Sequence, residues 1–414
     1  MNPSMARRTL RLKWHEGNHI ELLRNGEEFF PALCAAISAA KRKVHLETYI
    51  FNLDKTGFLV LDHLRDACAR GIKVRVVIDG FGSHEHAREI GARLASMGAQ
   101  FRIYRPEPTG LRHMKFDLRR LRRLHRKVTV VDERVAFVGG INILDDYVDV
   151  PDDGKGARPR FDFAVRLQGP IVDDLARAQR ALWLRMAWRR RDDWATFYRR
   201  LKEWGKRRSL RVKAPVVPLD GHGHRAALLL RDNLRFRQTI EDAYLGTMEN
   251  ARHDILIANA YFFPGRRLRK ALEDASRRGV RVRLLLQGRS EYPMQYRAGR
   301  YMYGKLLHDG IEIHEYMASY LHAKVAIMDD CAMVGSSNLD PFSLLLAREA
   351  NIYIQDAQFA DELKSAIETE LKNNGQVVTE EALQGRGVIG RWIDAFSYFM
   401  LRAGVALTGK SSEY

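Results

Sequence analysis

The sequence predicts an α/β protein made of two copies of one structural unit. The segment His-Arg-Lys-Val-Thr-Val-Val-Asp at 125–132 returns at 322–329 as His-Ala-Lys-Val-Ala-Ile-Met-Asp. Both copies follow a helical pattern, a glycine and a buried apolar run, and both precede an apolar run that ends in small residues and an asparagine. The flanking segments that match are 67–80 with 275–288 and 135–142 with 332–338. Because these features recur in the same order, we interpret the chain as a duplication.

The first half alternates between predicted strands and helices. Residues 14–30 predict a short strand, a turn at Asn25-Gly26 and the start of a helix that continues to residue 40. A core strand follows at 43–51, and the alternation of strand and helix continues as far as Arg105. After the first motif, a polar loop is predicted at 145–160 and a strand at 162–167.

A basic segment at 105–124 interrupts this alternation. It begins with Pro106, Pro108 and Gly110 and continues with many arginines up to the first motif. Two interpretations are open: a solvated basic loop, or a lip that faces phosphate or a membrane. Its position immediately before His125 favours the lip, which would attract anionic lipid.

The middle of the chain predicts a long helix and then a linker. The helical pattern covers 171–208, and its basic, aromatic end suits either an interfacial anchor or a helix over the domain junction. Pro218, Gly221 and Gly223 mark the linker. Residues 228–250 predict a helix that opens the second half.

These patterns divide the chain into four parts. Residues 1–214 form the first domain, with the basic aromatic segment as an insert, and 215–224 form the linker. Residues 225–380 form the second domain and 381–414 an amphipathic tail. The tail includes an apolar, aromatic stretch at 388–402 that could lie on a membrane or dock on the protein, and we expect the membrane.

Composition limits the partners and the compartment. The formal net charge is +18, which favours a polyanionic partner, either an anionic lipid surface or nucleic acid. The three cysteines have no metal-ligand spacing, so we expect reduced packing residues and no metal. No run of about 18 apolar residues occurs and no secretory leader is predicted, so the expected location is cytoplasmic, with peripheral membrane contact.

The repeated motif has the residue types that phosphoryl chemistry requires. On a strand, a histidine and a lysine two positions apart project to the same face, so each pair would lie together at a strand end. One imidazole can attack phosphorus while the other acts as general acid and then base. The two lysines would supply fixed positive charge at the phosphate oxygens. The residues of the two motifs are His125, Lys127, Asp132, His322, Lys324 and Asp329.

The paired His-x-Lys-x-x-x-x-Asp motifs, each followed by Gly-(Gly/Ser)-x-Asn, resemble the phospholipase D superfamily. The resemblance covers roughly residues 18–375 and is closest to bacterial cardiolipin synthases of the B type, on the segments 19–27, 162–172 and 335–343. It implies two tandem phospholipase D-like α/β/α sandwich units, related by a pseudo-two-fold axis, with the active site at their interface. It also implies that no cofactor is needed.

The resemblance also implies roles for individual residues. His125 would be the nucleophile and His322 the acid and base, although the symmetry of the motifs does not decide between them. Each histidine would be oriented by a carboxylate on its second nitrogen, and neutral donors near the motifs would bind phosphate or form a tight strand-turn corner. Asp132 and Asp329 are expected to bond backbone. The residues expected to orient the histidines are Asp162 and Glu349, and those expected at the phosphate are Asn142, Ser336 and Asn338.

The expected function is cardiolipin synthesis by phosphatidyl transfer onto phosphatidylglycerol through a covalent phosphohistidine. The donor would be phosphatidylethanolamine or a second phosphatidylglycerol, and the other expected partner is an anionic membrane surface; no protein partner is predictable. The alternatives are a phospholipase D-type hydrolase or a metal-independent nuclease of the same superfamily. A basic membrane-binding protein with degenerate sites is disfavoured because both motifs are intact.

Overall fold

One continuous β-sheet of 15 strands forms the centre of the described part of the protein, a computed structural model. The structure describes residues 12–107, 118–152, 156–189, 223–232, 236–289, 291–385 and 387–406. The predicted basic aromatic insert beyond residue 189 and most of the predicted linker at 215–224 lie outside these residues, as does the centre of the basic segment at 105–124.

The first half contributes seven of these strands and four helices. In chain order they are β1 (Trp14–Arg24), α1 (Asn25–Ser38), β2 (Lys43–Thr48), α2 (Lys55–Ala69), β3 (Lys73–Asp79), α3 (Ala87–Ser96), β4 (Gln100–Tyr104), β5 (Lys127–Val131), β6 (Val135–Gly139), β7 (Phe163–Gln168) and α4 (Ile171–Arg189).

The second half contributes eight strands and seven helices from the described residues. They are β8 (His224–Arg231), α5 (Thr239–Asn250), β9 (Asp254–Asn259), α6 (Arg266–Arg277), β10 (Arg281–Gln287), α7 (Pro293–Tyr301), α8 (Tyr303–His308), β11 (Glu312–Tyr316), β12 (Lys324–Met328), β13 (Cys331–Gly335), β14 (Glu349–Gln355), α9 (Ala357–Asn374), β15 (Gly375–Val377), α10 (Glu380–Gln384) and α11 (Val388–Ala406).

The order of the strands repeats on either side of the centre of the sheet. The full order is β15-β11-β10-β9-β12-β13-β14-β8-β1-β7-β6-β5-β2-β3-β4. Reading outwards from the antiparallel β1–β8 pair, the sequence 1-7-6-5-2-3-4 on one side matches 8-14-13-12-9-10-11 on the other. The predicted duplication and α/β fold class are confirmed, with two equivalent units related by a pseudo-two-fold axis at this pair.

Apolar layers lie on both faces of the sheet, as the alternation of side chains along strands requires. Each half packs its own helices on one face, and a further cluster on the other face joins the halves. That joint cluster combines Val128 and Val165 of the first half with Val325 and Ile352 of the second. The halves therefore share a core as well as a sheet edge.

Local signals set several helix starts. The carboxylate of Asp54 accepts a hydrogen bond from the Gly57 N–H at the start of α2, and Asp356 accepts one from Phe359 at the start of α9. None of the helices in the described ranges has the length and apolar character needed to cross a bilayer.

The predicted helix at 228–250 is wrong at its beginning. Residues 224–231 form the central strand β8, and the helix α5 begins only at Thr239. The run Ala-Ala-Leu-Leu-Leu fits a strand buried between two neighbours, and β8 pairs with β1 on one side and β14 on the other. A short apolar run does not by itself distinguish a buried strand from a helix.

Candidate active site

Two short backbone bridges between the halves place the histidines of both motifs. Leu124 pairs with Arg348, and Phe161 pairs with Leu321. The His125 N–H donates to the Arg348 carbonyl at 3.0 Å, and the His322 N–H donates to the Phe161 carbonyl at 2.9 Å. Each histidine is thus held by the backbone of the half to which it does not belong.

The carboxylates that orient the histidines cross between the halves. His125 Nδ1 lies 3.0 Å from Glu349 Oε1, and His322 Nδ1 lies 2.6 Å from Asp162 Oδ2. The crossing follows from the bridges, because the residue that each histidine meets, Arg348 or Phe161, directly precedes the carboxylate. The structure brings the two predicted orienting residues to the histidines, with the partners exchanged between halves.

The surroundings of His125 define its tautomer. Its Nδ1 faces two acceptors, the Glu349 carboxylate and the Ser336 carbonyl at 3.0 Å, so Nδ1 carries the proton. Its Nε2 lies 3.2 Å from Lys127 Nζ, a donor. Nε2 therefore keeps an unshared electron pair.

The two motif lysines are buried in the same site. Lys127 Nζ donates to the His125 carbonyl at 2.8 Å, and Lys324 Nζ donates to the His322 carbonyl. Burial lowers the pKa of Lys127 to about 7, helped by the charge of Lys324. Burial lowers the pKa of Lys324 to about 8, although Asp162 and Glu349 oppose that shift. Because burial disfavours the charged form of both lysines, an anion bound between them would stabilise that form.

The same burial changes the acid groups. It lowers the pKa of His125, against the opposing charge of Glu349, and it lowers the pKa of His322 well below the usual value, with Lys324 adding to the effect. Burial also raises the pKa of Asp162 to about 7. The Asp162–His322 pair, joined at 2.6 Å, therefore binds one proton between its two members near neutral pH.

A glycine and a serine at matching positions make the two sides unequal. A Cβ on Gly140 would meet Asp162 Oδ1 at 2.2 Å, so only glycine leaves room for that carboxylate. At the matching position, the Ser336 hydroxyl is fully buried and donates to Glu349 Oε2 at 2.5 Å. The structure thus brings the hydroxyl of Ser336, which we predicted at the phosphate, to Glu349, and a phosphate role for Ser336 stays a prediction.

The asparagines after the motifs have different surroundings. Asn142 Oδ1 accepts from the Ile50 N–H at 3.2 Å, which fits a strand-turn corner. Asn338 is buried, and its Oδ1 has no hydrogen-bond partner among the described residues. A phosphate role for either side chain stays a prediction.

The motif aspartates lie away from the histidines, at the far ends of β5 and β12. Asp132 accepts from the N–H groups of Lys41, Arg42 and Lys43 at 2.7–2.8 Å. Asp329 accepts from the N–H groups of residues 252–254 at 2.8–3.0 Å. In each motif the aspartate follows the lysine by five residues along an extended strand, so their backbones lie roughly 15 Å apart. The expected backbone bonding of both aspartates is observed, and the structure does not bring either of them to the histidines.

Sequence reasoning missed several residues near the motifs. The ring of Tyr49 lies 4.9 Å from the ring of His125 and 5.4 Å from Lys127 Nζ. The buried carboxylate of Asp79 accepts from the Leu124 N–H at 2.7 Å. Tyr49 and Asp79 stand at the carboxyl ends of the parallel strands β2 and β3, which meet at one sheet edge, and that position was a usable signal.

This arrangement has the groups that nucleophilic and acid–base chemistry at an anion requires. It offers a neutral imidazole whose Nε2 carries no proton, a second imidazole paired with a protonatable carboxylate, and two buried lysines. Among the residues that the structure describes, no group of three or more histidine, cysteine, aspartate or glutamate side chains could hold a metal ion.

Comparison with known sequences identifies relatives along almost the whole chain. Residues 33–151 and 244–371 match the family model described as cardiolipin synthase, PLD-like domain. Cardiolipin synthase B of Escherichia coli K12 is 37% identical over 403 residues, which cover 97% of this chain and 92% of that protein. Cardiolipin synthase B of Salmonella typhimurium is 38% identical over 399 residues, covering 96% and 91%.

Solved structures share the fold at low sequence identity. Phosphatidylserine synthase of Haemophilus influenzae superposes with a TM-score of 0.65 and 13% identity, covering 95% of each chain. Polyphosphate kinase of Porphyromonas gingivalis superposes with a TM-score of 0.54 and 14% identity, covering 94% of this chain and 53% of the kinase.

Proposed function

We propose, since the chain belongs to the cardiolipin synthase, PLD-like domain family, that it transfers a phosphatidyl group onto phosphatidylglycerol to form cardiolipin. The observation that supports this most directly is the crossed pair of histidines at one site. Each has its Nδ1 held by a carboxylate from the other half, and burial raises the pKa of the carboxylate on the His322 side, Asp162, to about 7.

In the first step, His125 Nε2 attacks the phosphorus of the donor lipid. The bond between phosphorus and the donor's head-group oxygen breaks, and His322 gives that oxygen a proton, so that the head-group alcohol leaves. A covalent phosphohistidine remains on His125. The assignment is supported by the free electron pair on His125 Nε2 and by Asp162, whose raised pKa gives the His322 side the proton.

In the second step, the primary hydroxyl of phosphatidylglycerol gives its proton to His322 and attacks the same phosphorus. The P–N bond breaks, His125 returns to its neutral form, and cardiolipin leaves. Lys127 and Lys324 bind the non-bridging oxygens in both steps, where negative charge is concentrated. Water in place of the lipid hydroxyl would give phosphatidic acid, so control of acceptor binding decides between transfer and hydrolysis.

We further propose that α11 places the enzyme on an anionic bilayer, peripherally and at the cytoplasmic face. Its exposed stripe follows helical spacing, with Ile389 78%, Trp392 72%, Phe396 65% and Phe399 58% exposed. The opposite face, including Tyr398 and Leu401, is buried in the core of the second half.

We propose that the membrane-facing surface extends from α11 along α7 towards the active site. Tyr301 on α7 contacts Phe399, and Tyr292 and Met294 at the start of α7 are half-exposed. Tyr292 in turn contacts Tyr261, whose hydroxyl bonds Glu291 beside the site. A bilayer on this surface would present lipid head groups next to the histidines, which favours a lipid substrate over nucleic acid.

The test is the product formed from vesicles of phosphatidylglycerol, with and without phosphatidylethanolamine, read by mass spectrometry. We expect cardiolipin from the wild type and none from His125→Ala or His322→Ala. Phosphatidic acid as the sole lipid product would instead assign a hydrolase. Absence of lipid turnover together with cleavage of nucleic acid would assign a nuclease. Vesicles that contain phosphatidylethanolamine identify the donor, because ethanolamine is released only if phosphatidylethanolamine donates the phosphatidyl group.

A further inference from the structure

An arginine–glutamate pair joins the two halves on the His322 side of the site. Arg160 Nη2 lies 3.3 Å from Glu291 Oε1, and Arg160 Nη1 donates to the Asp145 carbonyl at 3.3 Å. The Arg160 side chain is 11% exposed and that of Glu291 28%. Neither residue belongs to the repeated motifs.

The backbone places Arg160 beside the acid–base histidine. Arg160 precedes Phe161, which bridges to Leu321, and lies two residues before Asp162, so in an extended segment both side chains project to the same side. The guanidinium carbon lies 5.7 Å from the ring centroid of Tyr320, two residues before His322. Its charge reaches His322 as well, since it helps to lower the pKa of that imidazole.

We propose that Arg160 binds the phosphate of the acceptor lipid. This inference rests on the proposed transfer reaction, in which two phosphates meet at the enzyme. The phosphate that reacts lies between Lys127 and Lys324. The acceptor phosphatidylglycerol brings a second phosphate that does not react, and its hydroxyl must reach His322 to lose a proton.

The chemistry of the pair fits this second phosphate. A guanidinium presents a planar fork that matches two phosphate oxygens, and it stays charged at every working pH. Glu291 neutralises Arg160 when no lipid is bound. When Arg160 turns to phosphate, Glu291 keeps the hydroxyl of Tyr261 as a donor, at 3.3 Å, so its carboxylate is not left without a partner.

The His125 side is not arranged in this way. The position that matches Arg160 is Ala347, two residues before Glu349. Arg123, two residues before His125, is bonded to Glu107 at 2.5 Å, and Glu107 also binds Arg120. Arg123 stacks on the Phe81 ring as well, at 4.8 Å. A cation held by these contacts is less able to change partners, so the His322 side is the better place for the acceptor.

The test compares two acceptors that compete for the same phosphoenzyme. Wild type and Arg160→Gln are given phosphatidylglycerol vesicles with a fixed amount of 1-butanol, and the ratio of cardiolipin to phosphatidylbutanol is measured. Butanol carries no phosphate, so we expect Arg160→Gln to lower this ratio at least tenfold. Arg160→Lys keeps the charge but not the planar guanidinium, and it should lower the ratio of cardiolipin to phosphatidylbutanol by a smaller factor. This variant replaces Arg160→Gln in the test if the glutamine variant does not fold.

The matched control is Arg166→Gln. Arg166 on β7 donates to Glu21 on β1 at 3.0 Å, and its replacement should leave the ratio of cardiolipin to phosphatidylbutanol unchanged. A proportional fall of both products in Arg160→Gln and Arg160→Lys would overturn the inference, because it would place Arg160 at the reacting phosphate or at Asp162. A wild type that makes phosphatidylbutanol but no cardiolipin would overturn the proposed synthase itself, whatever Arg160 does.

Discussion

At the scale of single residues, the site is governed by charges that are buried together. Burial lowers the pKa values of Lys127 and Lys324, and the charge of Lys324 adds to the shift of Lys127. Asp162 carries a raised pKa for the same reason. A bound phosphodiester would oppose the lowered pKa values, since its negative charge favours the charged form of each lysine and the protonated form of His322. Substrate binding and protonation are therefore coupled.

The pH dependence of kcat/KM should reflect these shifts. Lysines with lowered pKa values lose their charge as pH rises through about 7 to 8, and the Asp162–His322 pair loses its proton as pH rises through about 7. Burial lowers the pKa of His125 from its ordinary value, so this histidine is an uncharged nucleophile at neutral pH. We expect kcat/KM to be highest at or slightly below neutral pH and to fall on the alkaline side, measured with short-chain donors that do not need a membrane.

The control for this profile is Lys127→Arg, whose guanidinium does not titrate in this range. It should make the alkaline fall less steep, because one of the titrating groups is removed while the Asp162–His322 pair still loses its proton, and it should lower the maximum rate. A rate that increases steadily from pH 7 to 9 in the wild type would contradict the assignment of the acid groups.

At the scale of elements, β5 and β12 separate two tasks. The histidine and the lysine of each motif lie at the start of the strand. The aspartate lies at the end of the strand, where it bonds the backbone at the start of the neighbouring strand, β2 or β9. There Asp132 and Asp329 adopt left-handed backbone angles, with φ of 54° and 49°, and each accepts three backbone N–H groups. The aspartate therefore recurs in both motifs because it joins the end of its own strand to the start of the neighbouring strand.

Asp132→Ala or Asp329→Ala should therefore reduce stability more than catalysis. Loss of the three bonds and a left-handed alanine should together lower the free energy of unfolding by about 2–4 kcal/mol. Urea unfolding measures this change, and kcat per folded molecule should fall less than about threefold. Asp62→Ala, which breaks an exposed pair with Arg65, is the control and should change stability little. A normal unfolding midpoint with a loss of activity comparable to His125→Ala would place these aspartates in catalysis.

The exposed stripe of α11 makes a second prediction for an element. Replacing Trp392 and Phe396 by serine removes two aromatic side chains from the membrane-facing stripe, each of which contributes about 2 kcal/mol when buried in lipid. We expect binding to phosphatidylglycerol vesicles, measured by cosedimentation, to weaken at least tenfold. Turnover of short-chain lipid should change far less.

The matched control for α11 is a serine pair at Phe58 and Leu59, which are also exposed but lie on α2 in the first half. It should bind vesicles as the wild type does. Equal binding by both variants would show that α11 does not face the membrane, and a lowered melting temperature would show that the stripe packs on protein.

At the scale of the whole molecule, the two halves form one catalytic unit. The sheet is continuous across the β1–β8 pair, and one apolar cluster contains strands of both halves. Each histidine also takes its backbone bridge and its carboxylate from the opposite half. Neither half contains a complete site.

Glu349→Gln tests this crossing. Because the Glu349 carboxylate raises the pKa of His125, its removal should lower that pKa further, and kcat should fall about 100-fold or more as the imidazole loses its orientation. The titration can be followed by NMR of histidine-labelled protein, with signals assigned from His125→Ala and His322→Ala. In Asp162→Asn, the signal of His322 should move instead. The opposite pattern, with Glu349→Gln moving His322 alone, would contradict crossed pairing.

Much of the architecture could be predicted from sequence because it depends on local patterns. Helices and strands follow from periodicity, and the duplication is visible because matching segments recur in the same order. The prediction failed at β8, where Ala226 to Leu230 form a short apolar run whose partners, β1 and β14, lie far away in sequence. The sequence also does not show that the hydroxyl of Ser336, which we predicted at the phosphate, lies beside Glu349.

The sequence by itself determined that there are two matching units, that each carries a histidine and a lysine at a strand end, and that Asp162 and Glu349 are candidate partners. Only the tertiary structure decided which carboxylate serves which histidine. Asp162 is near His125 in the chain but bonds His322, 160 residues away, and Glu349 bonds His125 across 224 residues. The reason is physical: the bridges at Leu124–Arg348 and Phe161–Leu321 form only when the two halves pack, and local patterns contain no information about that contact.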